Sequence, residues 1–462
     1  MKGKWKAPFC MLLVLYSLFL SALFQSCYSA FHLPRPIWKK QLLKSGSSVV
    51  FPLAGNVYPK GCGLFKCRYY QVTLEVGQPP KPYSLDIDTG SDLTWLQCDA
   101  PCAKCTPAPH SLYKPNKNVV TCKDPLCTSL HWPENHPCHG TDEQCDYEVA
   151  YADRGSSLGV LVKDTFPLRF TNGSIVVPHL VFGCGYSQEV PASTHPPFTD
   201  GILGLGNGKS SIVSQLSGLG LIRNVVGHCL SGQGGGFLFF GDDVLPSSGI
   251  AWTPIVQTSS EKHFSLGPAE LFFDGQATGV KGFPVIFDSG STFSYFGSEA
   301  YDILVSSIKK NINAKQLTDA VDDKSLPVCW NGSKSFKSVN DATSYFKPLT
   351  LSFMKAKNVE LQLQPEAYLI LTVHGNVCLG ILNGTEVGLG NYNVIGDISL
   401  LDKMVIYDNE KQQVGWLPAN CNRLPISRDY GEDYYDAYPT NMGIFGQTCP
   451  AKFDSSKQQA RK

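Results

Sequence analysis

Short apolar runs broken by glycine-rich turns recur along most of the chain, as in "GGGFLFFGDD" and "LVFGCG". Runs of that length, bounded by such turns, predict strands. Two segments depart from this rhythm. After Ser298, residues Ala300, Leu304 and Ile308 recur every four positions and predict a helix with one buried face, capped by Ser298. A shorter helix carrying Ile212 and Leu216 is predicted after Ser210 and Ser211. A third stretch, "SLDIDTGSDLTWLQC", reads as a strand running into a tight turn, yet Asp88 sits in it among Leu85, Ile87, Leu93, Trp95 and Leu96. A carboxylate in that company needs a partner or a purpose.

The two ends follow other patterns. Lys2, Lys4 and Lys6 precede an apolar run from about Phe9 to Phe24, then Ser26, Ser29 and Ala30. This is the layout of a secretory signal peptide over 1–29, with a signal anchor as the alternative. No second apolar run approaches the roughly 20 residues of a membrane span, so the mature chain is expected to have none. Residues 30–67, basic and Pro-bearing with Lys39, Lys40 and Lys44, read as a flexible leader or a removable pro-segment that would make the chain a zymogen. Beyond Cys421 the sequence turns acidic and aromatic, then polar, and 422–462 is read as a flexible tail. Its end, "SSKQQARK", is not a glycolipid-anchor signal. A secreted or vacuolar destination is expected.

Composition narrows the picture. A length of 462 residues with 43% hydrophobic content predicts two lobes or domains. A formal net charge of zero argues against a nucleic-acid or anionic-membrane partner held by bulk charge. The 43 Gly and 31 Pro again favour many short strands. Seventeen cysteines in an exported chain read as disulfides; setting aside Cys10 and Cys27 of the signal leaves 15, an odd number. Cys449 is the candidate for the odd thiol, and Cys62 and Cys67 could pair with each other. Sequons at Asn172, Asn331 and Asn383 fit the same route and mark glycosylation sites. The Cys-dense region from Cys98 to Cys145 reads as a disulfide-stapled surface insertion.

The opening puzzle is resolved by a second copy. "PVIFDSGSTFSYF" repeats "SLDIDTGSDLTWL": Asp288 matches Asp88, Ser289 Thr89, Gly290 Gly90 and Ser291 Ser91. Each copy is followed by an apolar pair ending in glycine, Gly204 lying 116 residues after Asp88 and Gly396 lying 108 after Asp288. Two ordered elements at similar offsets are an internal duplication. Halves packed about a two-fold axis would bring Asp88 and Asp288 together. At about 4 Å and an effective dielectric near 20, two carboxylates repel by about 4 kcal/mol, or about three pKa units. In mild acid such a pair holds one proton, so one carboxyl can take a proton from water while the other gives one to a carbonyl oxygen. The glycines allow close approach, and Thr89, Ser91, Ser289 and Ser291 supply orienting hydroxyls.

On these motifs the chain resembles the pepsin-like aspartic proteases from about Arg68 to Cys421. The block "WLQCDAPCAKC" is similar to the Cys-rich insertion of their atypical plant, nepenthesin-like subfamily, as are "GGGFLFFGDD" and "VIGDISLLDKMVIYDNEKQQVGW". The resemblance implies a mainly β, bilobal fold with two pseudo-two-fold-related lobes, 68–249 and 250–421, and a cleft between them. It implies an aspartic endopeptidase with Asp88 and Asp288 as the catalytic pair, needing no cofactor or metal. It implies that Thr89 and Ser289 bond across to the opposite lobe and that Ser91 and Ser291 hold the outer carboxylate oxygens. Tyr151 would sit at the tip of a flap with Trp95 as its packing partner, although from the residues alone both read as ordinary strand or core aromatics. Cys329 and Cys378 would form a disulfide. Polypeptides are the implied substrates, and a monomer is expected.

Other readings are weaker. "GLGNGKSS" misses the phosphate-loop spacing, because the required glycine position holds Leu203. Cys98, Cys102, Cys105, Cys122 and Cys127 with His131, His136 and His139 could be drawn as a zinc site, but export favours disulfides. The rival from another class is a catalytically silent, inhibitor-like binding protein on the same fold.

Overall fold

The structure, a computed structural model, describes residues 47–55, 70–101, 105–130, 138, 140–189, 198–256, 263–312, 316–390 and 392–425. The expected signal segment, Cys62, Cys67, Cys102, the three histidines of the Cys-rich region and nearly all of the expected tail, including Cys449, lie outside them.

Strands dominate, as the apolar rhythm predicts. In Gln71–Val76, Val72, Leu74 and Val76 are buried while Thr73 and Glu75 face solvent, the period-two pattern of a half-buried strand. Among the described residues the largest sheet has thirteen strands. From its middle to one edge run Val49–Ala54, Gln71–Val76, Lys81–Asp88, Gly201–Gly204, Trp95–Gln97, His179–Glu189, Ser156–Thr165 and Asp146–Ala150. The other way run Gly236–Phe240 and Val225–Leu230, then three strands from the second half of the chain: Lys403–Asp408, Gln413–Pro418 and Ala251–Pro254. A seven-stranded sheet draws wholly on the second half.

The internal repeat is visible in the topology. Lys81–Asp88 lies parallel to Gly201–Gly204, with Gly204 opposite Asp88. Gln276–Phe287, the strand leading into Asp288, lies parallel to Asn393–Ile395. In each half that partner also pairs antiparallel with the strand after the Asp: Ile202 opposite Trp95, and Val394 opposite Tyr295. The downstream apolar-glycine elements are therefore the strands that flank each Asp.

Val49–Ala54 falls inside the segment read as leader or pro-segment. It is a sheet strand between Gly236–Phe240 and Gln71–Val76, and Val49 and Val50 are fully buried. The helix Ser298–Asn311 buries Ala300, Tyr301, Leu304 and Ile308, with Glu299 in its first turn and Lys309 and Lys310 in its last, matching the helix dipole. Its N-cap is Gly297 rather than Ser298, whose hydroxyl instead donates to Asn383 Oδ1 at 3.1 Å. Ser211 holds the N-cap position of the shorter helix, Ile212–Gly218, without a side-chain capping bond.

Five disulfides join described residues: Cys98–Cys184, Cys122–Cys138, Cys127–Cys145, Cys229–Cys421 and Cys329–Cys378. Two of them staple the Cys-rich insertion internally. Cys98 leaves it to reach the core strand His179–Glu189, where Leu96 already lies opposite Cys184. Sulfurs committed to Cys122–Cys138 and Cys127–Cys145 are not free thiolates for zinc.

Candidate active site

The strand carrying Asp88 ends at that residue, and the strand before Asp288 ends one residue short of it. Each chain then turns tightly through Thr or Ser, Gly and Ser, and the two turns meet. Thr89 donates its N–H to Ser289 Oγ at 3.2 Å, and Ser289 donates its N–H to Thr89 Oγ1 at 3.0 Å. The hydroxyls continue the exchange, Thr89 donating to the Phe287 carbonyl at 3.2 Å and Ser289 to the Ile87 carbonyl at 3.1 Å.

This exchange sets the two turns against each other, so that each carboxyl lies beside the opposing glycine and the charge of Asp288 is felt at Asp88. Each inner oxygen, Oδ1, accepts the N–H of its own glycine, from Gly90 at 2.8 Å and Gly290 at 2.9 Å. Each outer oxygen, Oδ2, accepts a serine hydroxyl, from Ser91 to Asp88 and from Ser291 to Asp288 at 2.6 Å. Glycine is required in both turns by the opposing acid. A Cβ on Gly90 would lie 2.7 Å from Asp288 Oδ1, and one on Gly290 would lie 2.5 Å from Asp88 Oδ1.

Burial, and then the neighbouring charge of Asp288, raise the Asp88 carboxyl well above the ordinary range. A proton is therefore held between the two acids, and it belongs to the pair rather than to either residue. A raised carboxyl beside a second one is the combination that general acid–base chemistry uses.

Tyr151 begins the turn between the strands Asp146–Ala150 and Ser156–Thr165. Its N–H donates to the Gly155 carbonyl at 2.8 Å, closing a hairpin tip. Its hydroxyl accepts the Trp95 indole N–H at 2.7 Å. Burial, and then the Asp88 charge, push that phenol well above its ordinary value. The hairpin therefore brings Tyr151 to the carboxyl pair, anchored on the buried Trp95. Cys329 and Cys378 are bonded to each other across the paired strands Cys329–Gly332 and Val377–Leu379. Of the three sequon asparagines, Asn331 is exposed, whereas Asn172 and Asn383 are half-buried.

Sequence reasoning missed several polar groups around the pair. Asp397, fully buried directly after Gly396, has a carboxyl raised by burial and then by Asp288, Asp86 and Asp88. Asp86, also buried, is raised to about 7 by burial, opposed by a hydrogen bond from Gln71 and reinforced by Asp88. Behind Thr89, the Tyr407 hydroxyl lies 3.4 Å from Thr89 Oγ1 and 3.2 Å from His228 Nε2. Burial pushes that imidazole down to about 3, so His228 is a neutral partner. A charge inside an apolar run was the available signal for Asp86 and Asp397, since both stand in "LDID" and "VIGD".

Two family models match the chain, Xylanase inhibitor N-terminal over residues 70–242 and Xylanase inhibitor C-terminal over residues 263–418. An aspartic proteinase of Oryza sativa subsp. japonica is 44% identical over 84% of this chain and 94% of its own length. Aspartic proteinase 36 of Arabidopsis thaliana is 30% identical over 81% of this chain and 78% of its own. Aspartic proteinase nepenthesin-1 of Nepenthes gracilis is 27% identical, covering 76% and 78%. The crystal structure of basic 7S globulin from soybean superposes with a TM-score of 0.60 at 16% identity, covering 83% of this chain and 99% of that one. Conglutin gamma from lupine seeds gives a TM-score of 0.61, also at 16% identity, covering 82% and 96%. At that identity the likeness is one of fold: mainly β, pepsin-like and bilobal.

Proposed function

The chain belongs to the pepsin-like plant aspartic protease family, and we propose that it is an active member, an endopeptidase that hydrolyses polypeptides in acid. The observation carrying this reading is the symmetric carboxyl pair. Asp88 and Asp288 face each other with equivalent glycine and serine donors on equivalent oxygens.

In the proposed reaction, the ionised member of the pair takes a proton from a bound water, whose oxygen attacks the peptide carbonyl carbon. The protonated member gives its proton to the carbonyl oxygen, forming a neutral tetrahedral diol. Breakdown returns a proton from the diol to the pair and delivers one to the leaving nitrogen, so the C–N bond breaks without a covalent enzyme intermediate. Ser91, Ser291 and the two glycine N–H groups hold the carboxyls in the required plane. Tyr151, tied to Trp95, covers the substrate and excludes water. No cofactor or metal enters this chemistry.

On this reading, 68–249 and 250–421 are the lobes, and the substrate lies between them as an extended chain. Export to the cell exterior or vacuole, glycosylation at Asn172, Asn331 and Asn383, a pro-segment that stops short of the sheet strand Val49–Ala54 and a monomeric enzyme complete the proposal. No helix among the described residues is long and apolar enough to cross a membrane.

The descriptions of the two family models motivate a second reading, a binding protein that inhibits a carbohydrate-degrading enzyme. Retention of both Asp-Gly pairs and every donor to them favours hydrolysis. The two readings separate on turnover of a denatured polypeptide at acidic pH and its block by a statine peptide, which mimics the tetrahedral diol. Inhibitable turnover supports the enzyme; no turnover by the folded protein supports the binding protein.

A further inference from the structure

Asp86 stands two residues before Asp88 on the same strand. Side chains alternate along a strand, so Leu85 and Ile87 enter the core while Asp86 and Asp88 share the opposite face, about 7 Å apart. That face carries the carboxyl pair. Asp86 is therefore a second acid of the first half of the chain, placed beside the reaction centre and serving no step of the hydrolysis.

Its surroundings are those of a site lacking a cation. Gln71 lies opposite it on the neighbouring strand and donates from Nε2 to Asp86 Oδ1 at 2.8 Å. The same amide nitrogen reaches the carbonyl of Phe198 at 3.0 Å, a residue whose side chain is exposed. On the other side, Ile202 lies opposite Asp86 and is half-buried, forming an aliphatic wall. Among the described residues no lysine, arginine or histidine pairs with Asp86, and no donor reaches its Oδ2. The carboxyl is only 7% exposed and receives one side-chain amide, so its ionised form lacks a counter-charge there.

We infer that Asp86 forms the end of a specificity subsite, walled by Ile202 and Gln71, that takes a basic side chain of the polypeptide substrate. The aliphatic stem of a lysine or arginine lies along Ile202, and its cationic head meets Asp86 Oδ2 in a charge-assisted hydrogen bond. The inference rests on the proteolytic reading and adds to it the substrate class. The groups facing Asp86 are Asp88 on its own strand, Asp397 from the helix Asp397–Leu400, and the non-titrating Gln71 and Ile202. Among the described residues no basic group faces Asp86, so nothing there opposes a cation. The empty carboxyl, raised to about 7, ionises more readily as pH rises, so preference for a basic residue strengthens between pH 4 and pH 6.

The test compares matched quenched-fluorescent peptides carrying lysine or norleucine, which differ chiefly by the ammonium group. The pair is placed in turn at each of three residues on either side of the scissile bond. At one position the wild-type chain should favour lysine by about tenfold or more in kcat/KM at pH 5.5. Asp86→Asn should bring that ratio near one, and Asp86→Glu should retain a preference. Norleucine equal or better at every position in the wild type, or an unchanged ratio in Asp86→Asn, overturns the inference while leaving proteolysis standing. The wild-type scan decides even where a variant does not fold. Cleavage of neither series overturns the proteolytic reading and this inference with it.

Discussion

Thr89 and Ser289, 200 residues apart, each donate a backbone N–H to the other's hydroxyl, at 3.2 and 3.0 Å. Both residues are buried, so these bonds are exchanged away from water, where an orphaned donor costs about 1–3 kcal/mol. The pair fixes the spacing of the carboxyls that flank it. Thr89→Val keeps the shape but removes the acceptor for Ser289 and the donor to Phe287. It should lower stability by about 1–3 kcal/mol in urea unfolding. It should also reduce kcat at least tenfold, measured at saturating substrate; a melting curve and kcat equal to those of the wild type would contradict the role.

The glycines make a separate prediction. In Gly290→Ala the new Cβ would meet Asp88 Oδ1 at 2.5 Å, and one of the two must move. Displacing a reacting group by roughly 1 Å costs on the order of 100-fold. Steady-state assays of Gly290→Ala and Gly90→Ala should each show a loss of about that size in kcat. A fully active alanine variant would show that the turns are not pressed against the opposing acid.

Stability should carry the mark of the buried acids. A carboxyl raised on folding holds more protons in the folded chain than in the unfolded one, so its contribution is full below the ordinary value of 3.8 and is lost as pH rises through the raised value. For Asp86 that window runs from 3.8 to about 7. Asp88 and Asp397 act in the same direction, whereas His228, held down to about 3 from 6.5, acts in the opposite one. Asp397→Asn removes one buried acid whose Oδ1 has no hydrogen-bond partner, and leaves His228 in place. Its melting temperature should exceed the wild type's by roughly 2–4 °C at pH 7 and by little at pH 4. The reverse order at the two pH values would refute the sign.

The hairpin offers a kinetic test. Tyr151→Phe loses only the hydroxyl that accepts the Trp95 indole at 2.7 Å. With its anchor gone the tip should close less often over the substrate, lowering kcat/KM about tenfold with little change in melting temperature. Trp95→Phe should reproduce that loss, and the double variant should add little to it, since both break the same bond. Additive losses would mean the two aromatics act separately.

Much of this site was legible because it was written twice. One Asp in an apolar stretch is ambiguous, but the repeat at Asp288, with matching downstream glycines, leaves few physical arrangements other than a two-fold meeting of acids. Tyr151 and Trp95 occur once, and without a family resemblance nothing in their local pattern separates them from core aromatics. Asp86 was in plain view yet unassigned, because strand alternation alone does not reveal that its neighbours would be Gln71 and Ile202 rather than a lysine. Cys98 and Cys184, 86 residues apart, meet through the parallel register that sets Leu96 opposite Cys184, a pairing that no spacing rule predicts. Val49–Ala54 looked dispensable because its basic surroundings resemble a leader; its place in the sheet depends on Gly236–Phe240, almost 200 residues further on.

The most direct measurement compares the wild-type chain with Asp88→Asn and Asp288→Asn on one denatured protein substrate from pH 3 to 7. The account predicts acid-dependent cleavage by the wild type and a loss of about 1,000-fold or more in each variant, because each removes half of a single acid–base unit. Cleavage surviving in either variant, or none from a folded wild-type chain, would contradict it.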